Sequence, residues 1–289
     1  MALPRPTLGP DHRTGLILVF TSTLAWSTAG LFTRSIHADV FTVLVWRGMF
    51  GTLGLLAVMI WRDGSASLRS FLTLGRAGWA YALLSGVGML CYITALRLTS
   101  VAHVAIIYAT VPFMTAGLGW LMMRERPSRD ALIASSAAFC GAVIMVGLGG
   151  DGTGTGDLLA LVMTGTMALM MVVARKHPEI PTLPAGTASS IMGILISLPF
   201  ASHTLPVPGQ LVLLAGFGLI NSSLGFALFL LGSAKIPPIE TALLGAMEAS
   251  LAPVWVWLVF AETPTLPTMI GAAVVLAAVT WHIARAYRR

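Results

Sequence analysis

Two stretches of the chain align without a gap. "HVAIIYATVPFMTAGLGWLMMRERPS" (103–128) lies over "ETALLGAMEASLAPVWVWLVFAETPT" (240–265). Each stretch is a long apolar run that ends in a polar turn, and a tryptophan, a glutamate and a proline recur at equal positions in both, with Glu125 over Glu262. The chain therefore contains an internal repeat, and the length of the repeated unit decides the fold.

The composition around this repeat indicates a membrane protein. Hydrophobic residues make up 56% of the 289 residues and charged residues only 10%, whereas a soluble domain has about 25% charged residues. A helix that crosses the hydrocarbon core of a bilayer needs about 20 apolar residues, and lipid does not tolerate unpaired backbone groups. Ten runs of that length, here called spans 1 to 10, are predicted as helices: 16–34, 40–61, 78–98, 101–123, 130–149, 157–175, 186–203, 209–232, 240–260 and 266–287.

The repeated unit comprises five spans. Upstream of the two aligned stretches, Gly15 lies over Gly156 and Thr23 over Thr164. Because five is an odd number, the second unit enters the membrane from the opposite side, so the two units are related by a pseudo-two-fold axis in the membrane plane. The fold class predicted is an all-α integral membrane protein of ten transmembrane helices in two inverted five-helix repeats. Its parts are a tail (1–14), the first repeat (15–149), a glycine-rich outer linker (150–156) and the second repeat (157–289).

The basic residues predict the orientation of the bundle. With ten spans and the N-terminus inside, the outer side holds only Arg34 and Arg97, and nearly all other lysines and arginines fall on the inner side. This asymmetry follows the positive-inside rule, so both termini are predicted to be cytoplasmic. The formal charge of +6 is explained by this distribution, and no nucleic-acid partner is predicted. The partners expected are the lipid bilayer and a small-molecule substrate, with protons as a candidate coupling ion and no requirement for an oligomer.

The segments "WLMMRERPS" and "WLVFAETPT", each followed by a helix of small residues, carry a family resemblance. In two tandem five-helix units they resemble the EamA branch of the drug/metabolite transporter superfamily, over essentially the whole chain. The resemblance implies a carrier that works by alternating access in a bacterial inner membrane, with a central cavity bounded mainly by spans 1, 3, 4, 6, 8 and 9. Within the family, the methionine- and aromatic-rich helices are most similar to the YddG-type amino-acid exporters.

Polar and amphipathic side chains inside the spans are the candidate substrate contacts, because such groups are costly in lipid and usually face a cavity or a partner. Glu248 lies about two turns into span 9 and is either a proton site or bonded to backbone near Pro253. Asn221 either contacts substrate or joins helices, and His103 either titrates near neutral pH or is an interfacial residue. The predicted substrate-binding residues are Trp26, Tyr92, His103, Tyr108, Asn221 and Glu248.

Arg47 lies in the apolar run "VFTVLVWRGMF" (40–50) and needs a partner, since a guanidinium stays charged. Its planar fork either binds backbone carbonyls where helices bend, which is a structural role, or clamps a substrate carboxylate. No cofactor and no metal cluster are predicted.

The function predicted is export of small metabolites, with amino acids bearing aromatic or other apolar side chains favoured. A phosphorylated substrate would need at least two cations in the cavity, and only Arg47 lies at depth. An exporter of drugs or organic cations is the alternative, with Glu248 as the counter-charge. An intramembrane enzyme is a remote alternative. The segment "GTGD" (154–157) matches an aspartyl-protease motif, but that chemistry needs two carboxylates at membrane depth, and none of the aspartates lies inside an apolar run.

Overall fold

The structure is a computed structural model that describes residues 10–64, 69, 71–99, 101–147, 154–202, 206–261 and 263–287. Over these residues all the regular secondary structure is helical. In the first half, span 1 comprises α1 (Pro10–Ser27) and α2 (Ala29–Ser35), span 2 is α3 (Val40–Asp63), span 3 is α4 (Gly75–Leu98), span 4 comprises α5 (Val101–Tyr108) and α6 (Val111–Met123), and span 5 is α7 (Arg129–Val146).

The second half follows the same plan. Span 6 is α8 (Gly154–Lys176), span 7 is α9 (Thr182–Ser197) with a short 3₁₀ turn (Leu198–Phe200), span 8 comprises α10 (Pro208–Phe217), a π-helical segment (Gly218–Gly225) and α11 (Phe226–Ser233), span 9 is α12 (Pro238–Phe260), and span 10 is α13 (Leu266–Tyr287). Eight segments of the described chain are long and apolar enough to cross a membrane. The chain is thus an all-helical, multi-pass membrane protein.

Two helices begin before the predicted ends of the segments that precede the repeats. The tail predicted over 1–14 is partly helical, because α1 begins at Pro10. Proline is favoured at the first position of a helix, and Asp11 in the first turn complements the helix dipole. The glycine-rich linker predicted over 150–156 also overlaps a helix, since α8 begins at Gly154, and Asp157 in its first turn accepts a 2.7 Å hydrogen bond from Thr99.

The two halves pack on each other in matched pairs of helices. Helix α3 packs along α9 and α7 along α13, so the second and fifth spans of one half meet their counterparts in the other. Helix α4 packs along α8 and α1 along α11, so the third span of each half meets the first span of the other. This exchange of partners is the pattern that a two-fold relation between the halves produces.

The crossing of α7 and α13 depends on two glycines. A Cβ added to Gly141 would lie 2.8 Å from the carbonyl oxygen of Gly271, and one added to Gly271 would lie 2.7 Å from the backbone nitrogen of Met145. Small residues let backbones approach closely in membranes, where lipid tails are as apolar as leucine and packing must hold helices together. The small-residue faces of spans 5 and 10 therefore form a direct helix contact.

Breaks in two spans have local causes. The turn at Ala109 and Thr110 between α5 and α6 precedes Pro112, which lacks the N–H that would continue the helical ladder. In span 1, Ser27 and Thr28 donate hydroxyl hydrogen bonds to backbone carbonyls three residues back, at the junction between α1 and α2. Both breaks lie beside the central cavity.

Candidate functional site

A cavity of about 520 Å³ lies in the middle of the bundle. All ten spans contribute to its wall, including spans 2, 5, 7 and 10 in addition to the six that the family resemblance implied. Most of the wall is apolar. The structure brings these candidate residues to this one cavity: Trp26, Arg47, Tyr92, Tyr108, Asn221 and Glu248. The side chain of His103 lies outside the part of the chain that the structure describes.

Arg47 and Glu248 are the charged groups among the described residues of the wall. Arg47, on α3, has its guanidinium carbon 5.0 Å from the centroid of the Phe217 ring, which is a cation–π contact. Among the described residues it forms no hydrogen bond and no ion pair, so the carbonyl bonds that a structural role would use are not formed there. Glu248, on α12, interacts electrostatically with Arg47 but likewise forms no hydrogen bond with the described residues. One cation and one anion therefore face the same apolar space.

Asn221 lies in the π-helical segment of span 8, where the backbone departs from the regular helical ladder. Its carbonyl oxygen accepts a 3.0 Å hydrogen bond from the indole N–H of Trp26, and its side-chain amide donates to the hydroxyl of Thr28 at 3.2 Å. Two more bonds hold the segment: Ser22 donates to the carbonyl of Gly225, and Ser223 donates to the carbonyl of Gly51. Asn221 thus joins helices and also lines the cavity, and π-helical turns are frequent at functional sites.

Aromatic rings form one wall of the cavity. The indole of Trp26 is held by its bond to Asn221 and packs at 4.8 Å, centroid to centroid, against the tilted ring of Phe229. Tyr92 and Tyr108 reach the same space from α4 and α5. Tyr108 is partly buried, and Tyr92 exposes 40% of its surface. Aromatic rings in an apolar cavity can bind an apolar side chain by stacking and a cation by the ring face.

Methionines also line the cavity. Of the methionine stripe in span 6, Met163, Met167 and Met170 line the cavity, whereas Met171 packs in an apolar cluster with Phe229. Thioether side chains adapt to ligands of varied shape. The methionines of span 6 thus both line the cavity and pack between helices.

Some cavity residues were missed by sequence reasoning. Phe226 and Phe229 line the cavity, yet nothing in an apolar run distinguishes them from phenylalanines that face lipid. Ser189, on α9, also lines it, and its buried hydroxyl has no hydrogen-bond partner among the residues that the structure describes. The pair Ser189 and Ser190 in span 7 was a visible signal, because adjacent hydroxyls at membrane depth need partners.

Comparisons with known proteins agree with this architecture. The model of the EamA-like transporter family matches the chain twice, over residues 13–147 and 154–283. An uncharacterized transporter of Archaeoglobus fulgidus is 25% identical over 273 residues, which cover 92% of this chain and 95% of that protein. The uncharacterized transporter YetK of Bacillus subtilis is 26% identical over 162 residues, about half of each chain.

A crystal structure of a protein superposes with a TM-score of 0.80 at 19% identity, over 96% of this chain and 98% of that chain, which supports the fold alone. The two family matches cover both halves of the chain and correspond to the repeat that the aligned stretches revealed. The chain belongs to the EamA-like transporter family.

Proposed function

We propose that this protein exports zwitterionic amino acids with aromatic or other apolar side chains across a bacterial inner membrane by alternating access. It has ten transmembrane helices, both termini in the cytoplasm, and two inverted repeats (15–149 and 157–289) that supply opposed gates around one cavity. The matched packing of the two halves and the double family match support the inverted arrangement.

The observation that carries the proposal is the pair of charges on the cavity wall. Arg47 and Glu248 face the cavity without a hydrogen-bond partner among the described residues. A zwitterion offers a carboxylate that suits the planar fork of Arg47 and an ammonium group that suits Glu248. The apolar and aromatic wall then binds the side chain, and a volume of about 520 Å³ falls within the roughly 300–1,000 Å³ of small-molecule sites.

The alternative is an exporter of drugs or organic cations, which Glu248 and the aromatic wall favour. Against it, Arg47 on the same wall would repel a cation that brings no carboxylate. An enzyme remains the remote alternative, because aspartyl-protease chemistry needs two carboxylates that share a proton, and Glu248 is the carboxylate among the described residues of the wall. Asp157 of the "GTGD" motif instead binds Thr99 at the start of α8.

Transport by protein reconstituted in vesicles tests the proposal. The substrates are an aromatic amino acid, its amide, which lacks the carboxylate, and its N-acetyl derivative, which lacks the ammonium charge. We expect wild type to prefer the zwitterion, and Arg47→Gln to raise KM for the amino acid by about 10- to 100-fold, because a hydrogen bond to a charged group contributes about 1.5–3 kcal/mol. Transport of the amide should not fall in this variant and should rise if anything, because the amide is a cation that Arg47 repels.

Arg126→Gln is the matched control, because Arg126 is exposed in the turn after α6 and lies away from the cavity. It should transport all three compounds as wild type does. Equal loss of amino acid and amide in Arg47→Gln, together with lower thermal stability, would assign Arg47 to structure. Transport of organic cations without transport of amino acids would establish the alternative function.

A further inference from the structure

The repeat makes it possible to compare the two ends of the cavity residue by residue. Equivalent positions differ by 141 in the first two spans of each half and by 137 afterwards, because residues 64–74 separate the second and third spans in the first half and only residues 201–207 separate them in the second. Many equivalent positions both line the cavity, such as Trp26 with Met167 and Ala105 with Ala242. The central part of the cavity, here called the symmetric core, is therefore lined by equivalent residues of the two halves.

The remainder of the cavity extends toward one end of the bundle. Here the end at which α1 begins and α13 ends is called the terminal face. Five residues line the cavity on the side of the symmetric core that faces away from the terminal face: Leu44, Arg47, Val104, Met145 and Met163. Their equivalents on the terminal side do not line it and are all less than 5% exposed: Ala185, Ala188, Thr241, His282 and Ser22. The structure is thus open away from the terminal face and closed toward it.

A cluster of three titratable side chains lies where the terminal face is closed. Nε2 of His12, in the first turn of α1, lies 2.8 Å from an Oε of Glu240, in the first turn of α12. Nε2 of His282, near the end of α13, lies 3.7 Å from the other Oε of Glu240. The three side chains are only 5–15% exposed, and a hydrogen bond between an imidazole and a carboxylate is stronger in a site screened from water than in an exposed one. Glu240 of α12 is thus hydrogen-bonded to His12 of α1, and His282 of α13 lies beside it, just beyond hydrogen-bond distance.

Two further ion pairs surround this cluster. Lys235 pairs with Asp11 at 2.9 Å, and Arg285 pairs with Asp130 at 3.2 Å. Asp130 is 11% exposed and Arg285 is 49% exposed, and their pair joins α7 to α13 and does not involve α12. The carboxylate of Asp11 is 89% exposed. Exposed pairs contribute little because water and salt screen them. Among the described groups, the Glu240 cluster is the buried polar connection between α12 and its neighbours at the terminal face.

We propose that His12, Glu240 and His282 form a latch that holds the terminal face shut. When that face opens, the positions that are now buried there, including His282, must line the cavity. Their equivalents, including Met145, already line it at the other end. Helix α12 must then move away from α1 and α13, and Glu240 must leave both histidines. The inference deepens the proposed function and rests on it, since a latch of this kind matters for a carrier with two alternating gates.

Accessibility of single cysteines tests the latch. In a Cys91→Ala, Cys140→Ala background, Ser22→Cys reports on the terminal side and Ser190→Cys on the open side of the cavity. A small charged thiol reagent is added to purified protein, and the labelling rates are measured. Glu240→Gln should speed labelling at position 22 by about tenfold, a population shift of about 1.4 kcal/mol, and should leave position 190 equally or less reactive.

Asp11→Asn is the matched control, because it removes an exposed ion pair at the same face, and it should leave both rates unchanged. His12→Gln should accelerate labelling at position 22 in the same direction, which keeps the test decisive if Glu240→Gln folds poorly. Unchanged labelling at position 22 in both latch variants, or equal acceleration at positions 22 and 190, overturns the latch. Labelling needs no substrate, so a latch without amino-acid transport refutes only the proposed function, and transport without a labelling shift refutes only the latch.

Discussion

The π-helical segment of span 8 packs so closely on α3 that a single methyl group should disturb it. A Cβ at position 218 would lie 2.5 Å from the carbonyl oxygen of Arg47, 2.7 Å from Cβ of Phe50 and 2.9 Å from the backbone nitrogen of Gly51. Two of these three atoms belong to the α3 backbone, which no rotamer change can move. We therefore expect Gly218→Ala to push span 8 away from α3.

The magnitude follows from the cost of overpacking. Inserting a methyl group into a packed interior costs about 1–3 kcal/mol, and the gain of up to about 1 kcal/mol in helix propensity from glycine to alanine offsets only part of it. The control is Gly209→Ala, in the first turn of α10, where an added Cβ meets nothing within 4 Å. It should be as stable as wild type or slightly more stable.

The assay is the apparent Tm of purified protein in detergent, followed by amino-acid transport in vesicles. Gly218→Ala should unfold several degrees below Gly209→Ala. It should also transport less, because the displaced segment carries Asn221 and α3 carries Arg47. If the two variants unfold at the same temperature, the inference that span 8 packs too closely on α3 to accept a methyl group is refuted.

Three further predictions concern the site and one helix end. Glu248→Gln should raise KM for the amino acid, because it removes the charge that pairs with the ammonium group, and it should also abolish acceleration by a pH gradient if Glu248 carries the coupling proton; wild-type flux that ignores pH would make the protein a facilitator. Trp26→Ala, Tyr92→Ala and Tyr108→Ala should each weaken transport of large amino acids more than of small ones, since apolar contact supplies much of the affinity; equal effects on all sizes would place the substrate elsewhere. Asp39 caps α3: burial raises the pKa of its carboxyl, but hydrogen bonds from Thr42 and from nearby backbone N–H groups outweigh this and hold the pKa below its ordinary value of 3.8. Asp39→Asn keeps a capping side chain but removes the negative charge at the helix N-terminus, so it should cost up to about 1 kcal/mol at neutral pH, measured by thermal unfolding, and the difference from wild type should disappear as the pH falls below the lowered pKa.

The candidate site shows why polarity at membrane depth is informative. Arg47, Asn221 and Glu248 were selected only because polar groups are costly in lipid, and all three reach the central cavity. Phe226 and Phe229 were not selected, because an apolar side chain is stable both against lipid and against a cavity, so its position in the sequence does not indicate which of the two it faces. The choice between structural and binding roles for Arg47 also could not be made from its residue type, since it depends on which oxygens lie within reach.

The sequence by itself determined the solvent, the helical class and the repeat, because apolar run length and residue periodicity are local properties of the chain. It also indicated the positions at which polar groups would need partners. Only the tertiary structure decided that residues from all ten spans enclose one cavity, that span 8 contains a π-helical turn against α1 and α3, and that Glu240 meets His12 at the closed terminal face. These features arise from contacts between residues up to 228 positions apart. Such contacts depend on how whole helices pack, which the pattern within any one helix does not specify.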